Sequence, residues 1–350
     1  MTTDVPEVGG LLSTDDVLAS AGAIAALQHP TGMIPWYPGG HCDPWNHVET
    51  AMALDVAGLT AAAEHAYEWL VQMQRPDGSW FNYYVAAPGT SRLQDIAVED
   101  AKLDTNVCAY VATGVWHHWL LTGDRGFVEH LWPTVRRAVD WVLTLQTERG
   151  EIVWAREAFD RPWSYALLTG SSSIWHALGC ALRIADLLDV DRPRWRLGRQ
   201  VLGRVLREAP EAFAPKDAWA MDWYYPVLTG ALTGAEAHER LASRWETFVM
   251  PGLGVRCVSD EPWVTAAETA ECAMAHAVSG DKATALDLLS WTADHRDEAG
   301  AYWTGIVHPD GIHFPEGERT AYTAAAVILA ADAISGASAA SGLFVPDDAE

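Results

Sequence analysis

Two kinds of helical stretch alternate along the chain. In the first, apolar residues recur at the three- and four-residue spacing of one helix face while charged residues fill the other. Such stretches run over residues 14–28, 60–74, 126–146, 194–208, 235–248 and 282–294. The second kind is rich in Ala, Gly and uncharged residues nearly all round, the pattern of a helix buried on every side. It covers residues 45–57, 103–121, 172–188, 223–232, 264–278 and 319–334. The alternation predicts six pairs of outer and inner helices closed into a ring, an all-α fold of the (α/α)6 barrel type, as one domain over residues 1–336. The pattern is least regular around 210–219. Residues 337–350, rich in Ala, Ser, Gly and acid, read as a loosely held tail. Strands do not alternate with helices, which disfavours Rossmann and TIM architectures. No GxGxxG or P-loop supports nucleotide chemistry.

A short phrase punctuates the pairs: a polar residue closing a helix, then Gly, then an aromatic. It reads Gln28, Gly32, Trp36; then Gln74, Gly78, Trp80; then Gln146, Gly150, Trp154; and, with His for Gln, His295, Gly300, Trp303. Gly suits the left-handed position that ends a helix, and the aromatic is expected to fold back onto the ring. Extended pieces over 79–85 and 151–154 are expected to form small hairpin arms.

Composition narrows the function classes. With 23 Lys+Arg against 47 Asp+Glu the net charge is −24, which repels nucleic acid and anionic membrane surfaces. The 18 Trp are an excess, and indole suits both core packing and stacking on sugar. Five scattered Cys (42, 108, 180, 257 and 272) without a CxxC pair fit reduced thiols, and the polar, acidic N-terminus is no signal peptide; both point to the cytoplasm. The uncharged run over 162–182 carries Thr169, Gly170, four Ser and His176, so it is not expected to span a membrane.

In such a ring the inner helix starts converge on one mouth, where a pocket is expected. The first start brings Trp36, His41, Asp43, Trp45, Asn46, His47 and Glu49 together. Asp43 before Pro44 is also a natural helix cap. His41, Asp43 and His47 match no strong metal signature, and neither a metal nor another cofactor is expected. The second start offers Asp104, with Glu99 and Asp100 read as a solvated turn. The third offers Ser171–Ser173, Trp175 and His176; the fourth, Asp222 and Tyr224. The fifth carries Glu261, Trp263, Thr265, Glu268 and Glu271, where Thr265 and Glu268 also fit a capping box. The sixth places Glu318 and Arg319. Paired carboxylates with aromatic platforms are what glycoside hydrolysis requires: one acid protonates the leaving oxygen, the other activates water or attacks. Asp43 and Glu268 are the expected pair. A separation of ~6.5–9.5 Å inverts the anomeric centre, the expected outcome, whereas about 5–5.5 Å retains it.

The alternating pairs, the Asp-Pro-Trp-Asn-His-Val-Glu start at 43–49 and the Trp-rich mouth resemble the six-hairpin glycosidases over nearly the whole chain. More narrowly the chain is similar to the methylmannose polysaccharide hydrolases of mycobacteria and other actinobacteria. That resemblance implies a cytosolic endo-acting α-mannosidase on a methylated α-1,4-mannan. Its carboxylate pair is carried onto Asp43 and Glu268, with Asp104, Glu261 and Glu318 as substitutes. Trp36, His41, Trp45, His47, Glu49, Trp80, Trp175, Tyr224, Trp263 and Arg319 join them as expected substrate contacts. A rival resemblance lies in Leu70, Gln74, Gly78 and Trp80, which fit the Gln–Trp repeat of terpenoid cyclases and protein prenyltransferases. The acids at 99–104 depart from the cyclase DxDD, and Asp104, Cys108 and His117 or His118 only loosely echo a prenyltransferase zinc site. A sugar epimerase on the same fold would use His47, His176 or His276 as acid and base. A non-enzymatic carbohydrate binder gains little from crowded carboxylates.

Overall fold

The computed structural model describes residues 4–157 and 161–346. In chain order its elements are α1 (Thr14–Leu27), β1 (His41–Cys42), α2 (Pro44–Val56), α3 (Thr60–Met73), β2 (Tyr83–Ala86), β3 (Ile96–Asp100), β4 (Leu103–Asp104), α4 (Thr105–Ala109), α5 (Val111–Thr122), α6 (Arg125–Val142), β5 (Ala155–Arg156), α7 (Leu168–Leu187) and α8 (Pro193–Glu208). They continue with α9 (Ala220–Leu228), α10 (Gly234–Ser243), α11 (Trp245–Phe248), β6 (Val249–Met250), β7 (Gly254–Arg256), β8 (Trp263–Thr265), α12 (Ala266–Val278), α13 (Lys282–Trp291), β9 (Trp303–Val307), β10 (Ile312–Arg319) and α14 (Ala321–Ser335). Each expected outer and inner stretch holds a helix. The irregular fourth pair is realised as α8, a single 3-10 turn at Pro210–Ala212, and the short α9 with Pro226 inside it.

The chain divides into two compact units. One comprises Gln28–Ala51 and Ala63–Pro215. In it α4 and α5 pack against α7 and α6, and α7 against α8. Two short sheets face the helix starts. One has the antiparallel order β1-β2-β3, the other pairs β4 with β5. The second unit comprises Met1–Leu27, Met52–Ala62 and Lys216–Glu350. There α12 packs against α9, α13 and α14, and α14 against α1. Its antiparallel sheet of order β10-β9-β8-β7-β6 is larger than the hairpin arms foreseen from the sequence. The β8 strand runs directly into α12. After Gly336, Ser338 binds Asp332 through its N–H (2.9 Å) and hydroxyl (2.6 Å), and Ala340 and Leu343 are buried. Residues 347–350 of the expected tail lie outside the described residues.

The repeated phrase has a physical basis different from a helix cap. The Nε2 of Gln28, Gln74 and Gln146 each donates to the carbonyl of the Gly four residues on, at 3.1, 2.9 and 2.9 Å. The turn so clamped holds Gly32 at φ +96° and Gly78 at φ +99°, and a Cβ there would strike the backbone carbonyl of His65 on α3 or Arg137 on α6. Glycine is required because the turn needs positive φ and packs backbone against the next outer helix. Helix ends proper are closed by Gly123 and Gly336, both left-handed.

Candidate active site

Within the first unit, two aspartates cap helix starts. Asp43, buried before α2, accepts from the N–H groups of Trp45 (2.9 Å) and Asn46 (3.0 Å) on Oδ1. Its Oδ2 accepts from Trp36 Nε1 (2.7 Å) and Asn46 Nδ2 (2.8 Å). Asp104, buried before α4, accepts from the N–H groups of Asn106 (2.9 Å) and Val107 (3.2 Å) on Oδ1, and from Trp154 Nε1 on Oδ2. Burial pushes both carboxyls above the usual aspartate range, opposed by these donors. Asp104 reaches about 6, with Lys102 the strongest opposing influence. Trp36 and Trp154 hold the same place in the repeated phrase, and both deliver an indole N–H to a capping aspartate.

The surroundings join the two starts. Burial raises the Tyr83 hydroxyl to about 12, with Asp43, Asp100 and Asp104 adding to the rise, so all three acids act on one hydroxyl. Glu49 is buried, accepts from Trp45 Nε1 (2.9 Å), and is raised to about 8 by burial against the opposing Trp45 bond, with Asp43 adding to the rise. His41 pairs with Glu99 (3.0 Å), which is exposed as expected but lies on β3 and not in a turn. Asp100 accepts from Asn82 Nδ2 (2.8 Å) and Lys102 N–H (3.0 Å). The Lys102 ammonium lies 4.5 Å from the centroid of Trp154 and 5.8 Å from that of Trp163, and Tyr165 completes the aromatic group. Tyr83, Trp163 and Tyr165 escaped the sequence reading because no spacing connects them to either aspartate, and Lys102, two residues before Asp104, because a lone Lys reads as a solvated charge.

Three expected contacts of this unit have other work. Trp80 is fully buried with its indole N–H on the Leu70 carbonyl (2.9 Å), so it packs the core and no sugar reaches it. His47 is buried with Nδ1 accepting from Ile34 N–H (3.2 Å) and Nε2 on the Ala66 carbonyl (2.8 Å); burial lowers it to about 4, and the neutral ring ties α2 to α3. Trp175 turns to α8, where the Arg199 guanidinium lies 4.1 Å from its centroid.

In the second unit, Glu268 lies in the first turn of α12. Burial pushes its carboxyl up, opposed by the Thr265 side chain and its own backbone N–H. Thr265 caps α12 without a side-chain hydrogen bond to it, so the alternative capping box does not form. One turn on, buried Glu271 accepts the Tyr224 hydroxyl, which burial and the charges of Glu271 and Glu268 push far up. Glu261 is exposed before β8 and acts with Glu268 on Cys257. Trp263 is partly exposed, its ring 5.3 Å from Phe314. Arg319 pairs with Asp297 and stacks over Trp303 at 4.8 Å, and Glu318 precedes it, half-buried on β10.

The rival chemistries find little assembled. Cys108 is buried with its Sγ accepting from Trp80 N–H (3.3 Å), and burial lowers His117 to about 3. His276 faces Asp281 (3.3 Å) and His176 faces Cys180 (3.8 Å), contacts of buried packing. Among the described residues no group of three or more His, Cys, Asp or Glu is placed to hold a metal ion, and no helix is long and apolar enough to cross a membrane.

No family model matches the chain. It is 49% identical over 340 residues, 97% of its length and 92% of the relative's, to the MMP endo-(1,4)-3-O-methyl-alpha-D-mannosidase of Mycolicibacterium hassiacum. Among solved structures, a glycosidase superimposes with a TM-score of 0.69 at 16% identity, covering 92% of this chain and 98% of that one. A D-mannose isomerase follows at 0.67 and 12% identity, covering 92% and 96%. The mannosylglycerate hydrolase of family GH63 from Thermus thermophilus superimposes at 0.65 and 15% identity, covering 90% and 99%. These likenesses show a shared fold, the six-hairpin (α/α)6 architecture with short β arms.

Proposed function

The chain belongs to the family of the MMP endo-(1,4)-3-O-methyl-alpha-D-mannosidase and is a glycoside hydrolase, and from that premise we propose that it cleaves internal α-1,4 linkages of a methylated mannose polysaccharide in the cytoplasm. The identity to that relative over almost the whole chain carries the substrate class. Five free cysteines, four of them buried, support the reducing compartment.

We assign the acid/base pair to Asp43 and Glu268, with inversion at the anomeric carbon. Burial raises both carboxyls, the direction that suits whichever member of the pair acts as the acid, while the other must stay ionised to act as the base. A second reading gives the acid role to Asp104. Among the described residues four hydrogen bonds reach the Asp43 carboxylate and three reach that of Asp104, so Asp104 keeps more acceptor capacity. An acid near 6 is also well matched to proton transfer close to neutrality.

The test is release of reducing ends from α-1,4-mannan oligosaccharides, methylated and unmethylated. Asp43→Asn and Glu268→Gln should each abolish it with circular dichroism unchanged. Full activity in both variants would sink the pair. Proton NMR of the first-formed product should show the β anomer, and an α product would refute inversion.

A further inference from the structure

His41 stands on β1, two residues before Asp43, and its ring is fixed on three sides. Tyr83 from β2 stacks on one face, centroids 4.2 Å apart and planes at 22°. Trp36 meets it edge-on at 4.4 Å and 68°. Nδ1 lies 3.0 Å from the Glu99 carboxylate on β3. The remaining polar atom, Nε2, is buried and has no hydrogen-bond partner among the described residues. A buried nitrogen left unpaired loses its hydration without compensation, so such an atom calls for a partner that the protein does not supply.

The place of the ring says what that partner is. Trp36, on its edge, donates to Asp43, and Tyr83, on its face, feels the charge of Asp43. The ring therefore belongs to the surroundings of Asp43. When the ring is neutral with its proton on Nδ1 toward Glu99, Nε2 is a lone-pair acceptor. A sugar hydroxyl is a donor that fits it. A methyl ether at the same position has no proton to give and adds bulk.

We propose that His41 Nε2 accepts a hydrogen bond from a free sugar hydroxyl bound beside Asp43, and that Glu99 is the positioning residue that fixes the ring and its tautomer. The site thereby selects a sugar unit left unmethylated at that hydroxyl. This rests on the reading of the chain as a hydrolase of a partly methylated mannan.

The experiment measures kcat and KM on α-1,4-mannan oligosaccharides, and calorimetric binding of the same compounds, for the full chain and for His41→Phe, His41→Gln and Glu99→Ala. Phe keeps the stacking on Tyr83 and deletes both nitrogens, and Gln restores an acceptor near the place of Nε2. His41→Phe should raise KM and Kd roughly tenfold, the loss of about one hydrogen bond, with kcat changed less than about threefold. His41→Gln should recover part of that loss. Glu99→Ala should raise KM by a smaller factor in the wild type and not at all in the His41→Phe background, because both changes remove one interaction. Across oligosaccharides methylated at single positions, the wild type should reject one that His41→Phe accepts as well as its unmethylated parent. Unchanged KM and Kd in His41→Phe, or additive effects of the two changes, would overturn the assignment. Sugar binding without cleavage by the wild type defeats the hydrolase reading alone, equal binding by wild type and His41→Phe defeats the His41 contact alone, and no binding by the wild type defeats both.

Discussion

The starts of α2 and α4 are built to one plan and differ in what surrounds it. Each is capped by a buried aspartate whose Oδ1 takes two backbone N–H groups and whose Oδ2 takes an indole N–H. Around Asp43 the Asn46 amide adds a fourth donor, and a second buried acid on α2, Glu49, feels its charge. Around Asp104 the described residues supply no fourth donor, and the neighbour is the Lys102 cation held over Trp154. The helix cap is thus common scaffolding, and the chemistry of each aspartate is set by the one or two side chains added to it. A carboxylate that already accepts four hydrogen bonds keeps less acceptor capacity for substrate than one that accepts three.

The largest expected effect separates the two aspartates directly. Asn is as good a cap as Asp, so either substitution should leave the helix start folded. Asp43→Asn should lower kcat by about a thousandfold or more, the scale of a lost acid or base, and Asp104→Asn by about ten- to a hundredfold. Steady-state kinetics on one oligosaccharide decides it, and the reverse order would move the acid role to Asp104.

Glu49 gives the next effect. Its folded value of about 8 lies above the ordinary 4.5, so between these values the unfolded chain has released a proton that the folded chain still holds. Its contribution to stability is therefore full below about 4.5 and is lost as pH rises toward about 8. Glu49→Gln should flatten the fall of Tm across that window and melt several degrees higher than wild type at its upper end. Parallel Tm–pH curves for the two proteins would show that Glu49 does not hold its proton.

The indole donors come third. Trp154→Phe removes one of three donors from Asp104 and should push its carboxyl above about 6 by roughly a unit. Trp36→Phe leaves Asp43 three donors and should shift it less. Carbon-13 NMR titration of labelled aspartate reads both, and equal shifts would mean that donor number does not set them. Lys102→Met removes the strongest influence holding the Asp104 carboxyl down and should raise it at least as far as Trp154→Phe does, less at high salt. A shift insensitive to salt would show that Lys102 acts by packing alone.

Much of this arrangement was legible in the chain. The alternation of amphipathic and apolar stretches placed the helices to within a few residues, because burial on one face or on all faces leaves its period in the sequence. The phrase of Gln, Gly and aromatic marked real, repeated turns, although the Gly proved to serve a side-chain clamp and close backbone packing. Asp43 and Asp104 were both found as acids at helix starts. The strands entering those starts were not, since pieces two to five residues long carry too little alternation to read.

What the sequence determined by itself, then, is the helical periodicity, the glycine turns and the acids at the inner starts, all properties of residues near one another in the chain. The tertiary structure alone decided which aromatics serve the acids. Trp36 and Trp80 both close the phrase, four and two residues after their Gly, yet only the folded chain shows that one donates to Asp43 and the other is sealed in the core. Trp154 reaches Asp104 from fifty residues away because β4 and β5 pair. His41 meets Glu99 because β1 and β3 both pair with β2. Hydrogen bonds of this kind depend on distance in space, and single-chain spacing carries no record of it.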